Sequence, residues 1–145
     1  MCDSTCVLID DVYGLDQMGL AVSAWHIEKC GKKPFQRSLV VLDCSITVRV
    51  VCPSCGGQGL FRSSRLRRFT HEPLGVKAVE LRVRIRSFVC KECAKFFSEP
   101  TKQISINDGV GKLTHQGLLW ALAAVVLDSM SISSAAHNLG ASPIP

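Results

Sequence analysis

No run of apolar residues in this 145-residue chain is long enough to cross a bilayer. The longest, Leu118 to Leu127, is about half of the roughly 20 residues that a spanning helix needs. The first residues, Met1-Cys2-Asp3-Ser4, also lack the basic segment, apolar stretch and cleavage site of a secretion signal. These two absences argue against a membrane protein and against a secreted disulfide framework. They predict a soluble, cytoplasmic protein whose 8 cysteines stay reduced. With 47% hydrophobic and 20% charged residues the chain reads as globular rather than disordered, and its length suits one domain, or one domain and an incomplete second.

Acidic residues are scarce in the middle of the chain. Between Arg49 and Lys95 there are 11 Lys or Arg against 3 acids, a net +8, while the remainder carries −3. Four thiolates around one zinc ion would still leave this block near +6. Such a concentrated positive field favours polyanions, of which nucleic acid is the commonest.

The same block is bounded by two Cys-x-x-Cys pairs, Cys52/Cys55 and Cys90/Cys93, with 34 residues between them. A two-residue knuckle lets both sulfurs of a pair point to one centre, so Cys52, Cys55, Cys90 and Cys93 are expected to bind a structural Zn2+ with no open coordination position. Cys2, Cys6, Cys30 and Cys44, even with His26, fit no zinc spacing and read as buried or free thiols.

The spacing of apolar residues predicts a short helix over Asp3 to Met18, a strand over Leu20 to Ile27 buried on both sides, and a second strand over Ser38 to Val51. Val79 to Val89 is the clearest strand. Val79, Leu81, Val83 and Ile85 face one way and Glu80, Arg82, Arg84 and Arg86 the other, because strand side chains alternate with period two. Only Glu72 and Glu80 stand near enough in sequence to neutralise this row and the preceding Arg62, Arg65, Arg67 and Arg68. These arginines, with Lys77, are candidate phosphate contacts, since guanidinium groups engage phosphate bidentately. The plain alternative is a solvated strand face with weak ion pairs. His71 is read as a satisfied loop histidine ahead of a DNA contact.

Segment 100–112 reads as a linker. Thr114 then caps an apolar helix over His115 to Asp128, and a second helix is capped by Ser131 and ended by Gly140. The Met130 to Ser142 pattern, with small Ala135 and Ala136 and the Leu139-Gly140 turn, has the form of a helix-turn-helix whose third helix would start at Ser142-Pro143. An all-round apolar helix whose partner helix is incomplete predicts self-association.

Several of these segments together resemble the zinc-binding N-terminal region of ISL-three-type insertion-sequence transposases. They are Cys52-Pro-Ser-Cys55-Gly56, the arginine-rich 62–69, His71-Glu-Pro73-Leu-Gly75, the strand ending Arg86-Ser-Phe88-Val-Cys90, and Phe97 before Glu99. Leu113-Thr-His, Val126-Leu-Asp128 and Ala135-Ala-His-Asn-Leu139-Gly resemble the helix-turn-helix that follows in that family. The resemblance implies binding to the double-stranded inverted repeats at the ends of a mobile element. It also implies a downstream carboxylate-metal catalytic domain that this chain lacks, so the chain is expected to be a truncated fragment and not an enzyme. Asp10, Asp11, Asp108 and Asp128 form no recognisable two-metal arrangement.

The expected architecture is α+β. It comprises an N-terminal helix and hairpin (1–51), a small antiparallel zinc ribbon (52–99), the linker, and an incomplete helix-turn-helix (113–145). The alternatives are a zinc-ribbon RNA-binding module and a protein-interaction module that represses a full-length transposase by pairing with it.

Overall fold

A computed structural model describes residues 14–32, 36–75, 77–105 and 112–140. Most of the expected Asp3–Met18 helix, and the start of a third helix at Ser142, lie outside these residues; the described part of the first is a 3-10 turn over Asp16–Met18. Five strands follow: β1 (Leu20–Cys30), β2 (Arg37–Ile46), β3 (Gly59–Leu74), β4 (Lys77–Cys90) and β5 (Phe96–Ser98). Two helices close the described chain, α1 (His115–Val126) and α2 (Ile132–Leu139).

The fold is α+β, built on one mostly antiparallel sheet in the order β1-β2-β4-β3. β1/β2 and β3/β4 are antiparallel hairpins, and β2 runs parallel to β4 from Leu39↔Ala78 to Ser45↔Arg84. β4 outruns β2, and β5 pairs with its last turn of pleat at Ser87, Phe88 and Val89.

The inward face of β4 is as its alternation predicts: Val79, Leu81, Val83 and Ile85 are all buried. They pack with Val40, Leu42, Cys44 and Ile46 of β2, Leu20 and Val22 of β1, Phe69 of β3, and Leu15 and Met18. Burial of such side chains contributes about 1.5–3 kcal/mol each. β1 is not buried on both sides. A bulge at Ser23, whose hydroxyl donates to the Asp43 carbonyl, resets the register, so Val22 and Trp25 fall on one face, opposite Cys44 and Leu42. Trp25 and Ile27 extend that face into an exposed margin.

The described residues that follow β5, up to 105, belong to the packed fold. Ile104 joins the main core, and Glu99, Thr101 and Ser105 are buried as well. Leu113 then bridges to Thr70 on the free edge of β3. Thr114 caps α1 by accepting from the Gly117 N–H, Ser131 caps α2 by accepting from the Ser134 N–H, and Gly140 ends α2 at φ +80°. The helices dock at the far end of the sheet, where Gly140 comes so close to Ala78 that an added Cβ would lie 2.8 Å from it. α1 buries one face only. Leu119, Leu122 and Val126, spaced three and four apart, form an exposed apolar stripe.

Candidate metal centre and its basic hairpin

The connection from β2 to β3 contains the first cysteine knuckle, and the turn from β4 to β5 contains the second. Each makes the same backbone pattern. The Cys52 N–H donates to Gly57 O and the Gly56 N–H to Cys52 O; likewise the Cys90 N–H donates to Lys95 O and the Ala94 N–H to Cys90 O. The residue four places after the first cysteine is left-handed in both, with φ +73° at Gly56 and +60° at Ala94. The Lys91 N–H donates to Gln58 O and ties one knuckle to the other.

This arrangement gathers four sulfurs. Cys52 Sγ is 3.6 Å from Cys93 Sγ, Cys55 Sγ is 3.4 Å from Cys90 Sγ, and all four lie within 4.8 Å of one another. These separations are well beyond the roughly 2.05 Å of a disulfide. They match the spacing of about 3.8 Å between sulfurs tetrahedrally disposed at about 2.3 Å from a metal. The described cysteines of this group can therefore hold a metal ion.

The local electrostatics support that reading. N–H groups of Cys55 and Ser54 point at Cys52 and bring its thiol down to about 6. The Cys93 and Glu92 N–H groups lower Cys90 in the matching way, the latter at 3.4 Å. On Cys55 the Gly57 N–H acts downward, but the crowding sulfurs of Cys90 and Cys93 outweigh it and push that thiol up to about 12. Four sulfurs this close cannot all ionise without a cation among them. Gly57 is required sterically: a Cβ there would stand 2.9 Å from Cys90 Sγ and 2.8 Å from Glu92 Cγ. Phe97 packs beneath Cys52 and Cys90 and stacks on Phe88 at 5.5 Å.

No family model, curated protein or solved structure matches the chain.

The candidate basic residues do not form one row. Cross-strand partners share a face, so Arg68 stands beside Arg82 and Leu66 beside Arg84, whereas Arg65 and Arg67 stand beside Ile85 and Val83 on the opposite face. β3 was not legible as a strand because arginines occupy both of its faces and erase the apolar alternation. Of the two acids near in sequence only Glu80 pairs with an arginine among the described residues, and two others, Glu28 and Glu99, join it. Arg82 reaches across β2 to Glu28 at 2.6 Å while holding Glu80 at 2.8 Å, and it keeps Glu28 below the usual carboxylate range. Glu99, buried, accepts from Arg86 at both its backbone N–H and its Nε. Glu28 stands 54 residues from Arg82, while Glu99, 13 residues from Arg86, falls at the expected boundary of the ribbon with the linker.

Among the described residues, Arg62, Arg65, Arg67, Arg68, Arg84 and Lys77 meet no carboxylate within ion-pair distance. Arg84 donates to Ser64, and Arg67 to Thr101.

His71 lies in β3 rather than in a loop. It is fully buried, with Nδ1 2.8 Å from the Thr114 hydroxyl, and burial lowers its pKa to about 4. That position makes it a tie between the sheet and the start of α1. Cys44 is a buried thiol in the core, as expected; Cys2 and Cys6 lie outside the described residues.

Proposed function

We propose that the chain is a zinc-dependent, double-stranded-DNA-binding module of the insertion-sequence transposase kind. In this reading the knuckles and β3–β5 are a zinc ribbon that holds element-end DNA, and α1–α2 are the first two helices of a helix-turn-helix. The observation that carries the proposal is the β3–β4 hairpin, tied at one end by the four-sulfur site, with Arg62, Arg65, Arg67, Arg68 and Arg84 lacking carboxylate partners among the described residues. β3 is an edge strand with arginines on both faces. Such an edge suits the major groove of duplex DNA, about 12 Å wide, because cations on its two faces reach phosphates on the two walls. Tetrahedral thiolate ligation in a reducing compartment favours zinc. In this reading the chain holds DNA, and cleavage belongs to the catalytic domain that the resemblance implies.

The test is a salt titration of the metal-loaded chain against duplex element-end DNA. With Arg82 and Arg86 already paired, neutralisation of five phosphates gives a slope of log affinity on log salt near −4.5. A slope near zero overturns the proposal, and tighter binding to single-stranded or folded RNA favours the RNA-module alternative. Metal analysis of the same preparation is expected to find one zinc per chain, lost in Cys90→Ser.

A further inference from the structure

At the metal end of the hairpin the sheet carries an aromatic ring that the core does not use. Phe96 opens β5 opposite Val89, which also stands opposite Leu60, so all three share the face bearing Arg65 and Arg67. Phe96 is 67% exposed and Leu60 50%. The guanidinium of Arg62, the extra residue of the bulge between Phe61 and Ser63, lies over the Phe96 ring with its centre 4.3 Å from the centroid. From this pair the same face leads to Ser87 and Ser98, hydrogen-bonded to each other, and then to a cleft of about 570 Å³ lined by Arg65, Arg67, Thr101 and Lys102. Glu99 also lines this cleft, and its carboxylate is held by Arg86.

We propose that this strip binds single-stranded DNA, one base stacking on the Arg62–Phe96 pair and the following phosphates running into the Arg65–Arg67 cleft. Three features select this ligand. The strip is cationic, with Arg62, Arg65, Arg67 and Lys102 meeting no carboxylate among the described residues, so an acidic chain is favoured. An exposed ring with a guanidinium on its face stacks on any base whose own face is open, a surface that a duplex keeps inside its stack. The distance from Arg62 to Arg67, about 17 Å along an extended strand, accommodates on the order of three to five nucleotides. The choice of DNA over RNA rests on the function proposed above; the stacking site rests on its own geometry. The chain then has two alternative modes that share Arg62, Arg65 and Arg67: duplex held along the β3 edge, or an unpaired strand held at the metal end, as at a frayed or opened element terminus.

The experiment compares binding of metal-loaded protein to an oligonucleotide of about 12 thymidines, to the same length of abasic strand, and to an element-end duplex. Phe96→Ala is expected to weaken thymidine binding about 5- to 100-fold, with Phe96→Tyr close to the parent and duplex affinity within about twofold. The abasic strand is expected to bind the parent protein as weakly as thymidine binds Phe96→Ala. Because Phe96 is exposed, zinc content and melting temperature should not change, which separates loss of stacking from loss of fold. Equal binding of abasic and thymidine strands, or an unaffected Phe96→Ala, overturns the site. A uridine oligonucleotide of the same length serves as the RNA probe, and its binding more tightly than the thymidine strand by about tenfold overturns the assignment to DNA. A flat salt slope on duplex alongside Phe96-dependent thymidine binding would remove the duplex reading and leave this one standing.

Discussion

Replacing Ala94 by glycine should stabilise the protein. The two knuckles have the same hydrogen bonds, but the left-handed position is glycine in the first and alanine in the second. An L-residue in that conformation costs about 1–2 kcal/mol, because its Cβ crowds the following carbonyl. Glycine removes that cost and gives back about 0.5–1 kcal/mol through the greater freedom of the unfolded chain. The net gain is about 0.5–1 kcal/mol. Because metal binding and folding of the knuckles are coupled, the gain should read out as about two- to fivefold tighter metal binding in a chelator competition. It should also raise the melting temperature of the loaded protein by about 2–4 °C. The reverse change, Gly56→Ala, provides the control. A Cβ at Gly56 would meet nothing within 4 Å, so its loss of about 0.5–1 kcal/mol would come from backbone conformation alone. If Ala94→Gly left affinity and melting unchanged while Gly56→Ala was harmless, the left-handed geometry would not be a strained part of the metal site.

Three further outcomes follow from particular contacts. Gly57→Ala should weaken metal binding strongly, because the new Cβ collides with Cys90 Sγ and Glu92 Cγ, whereas Gly75→Ala, with open space around it, should leave metal binding alone; metal titration of both variants checks this. His71 is held neutral with its pKa near 4, so the native state resists a proton that the unfolded chain takes up below about 6.5. Stability is therefore full above pH 6.5 and declines as pH falls towards 4, by about 3 kcal/mol in all, and urea melts across that range should lose this slope in His71→Leu. Glu99→Gln should cost about 1–2 kcal/mol and release Arg86, steepening the duplex salt slope by about 0.9; an unchanged slope would mean that Arg86 does not face the DNA.

Much of the site could be read in the sequence because its signals are local. Two correctly spaced cysteine pairs predict a common centre, and the sulfurs of Cys52, Cys55, Cys90 and Cys93 do converge. The alternation of β4 and the caps at Thr114, Ser131 and Gly140 are local too, and each is found where expected. The rest depended on pairing across long sequence separations. The acid that holds Arg82 comes from β1, 54 residues away, and β2 inserts itself as a parallel neighbour of β4. The bulge at Ser23 reverses which residues of β1 face inward, a one-residue effect that no period-two count contains. Ile104 looked like linker because one apolar residue in a polar stretch carries no periodicity, although it is wholly buried.

A metal ion bound by the four sulfurs would make the β3–β4 hairpin a closed ring. One end is closed by the covalent turn at Gly75, and the other by whatever ion joins Cys52 and Cys55 ahead of β3 to Cys90 and Cys93 after β4. Gly75 is exposed at the tip farthest from the sulfurs. A protease that severed the chain there would open the ring without parting it, because metal–thiolate bonds would still connect the two pieces. The nicked molecule would migrate as one species until a chelator was added, and its two halves would then be held only by the hydrogen bonds and packing of the sheet.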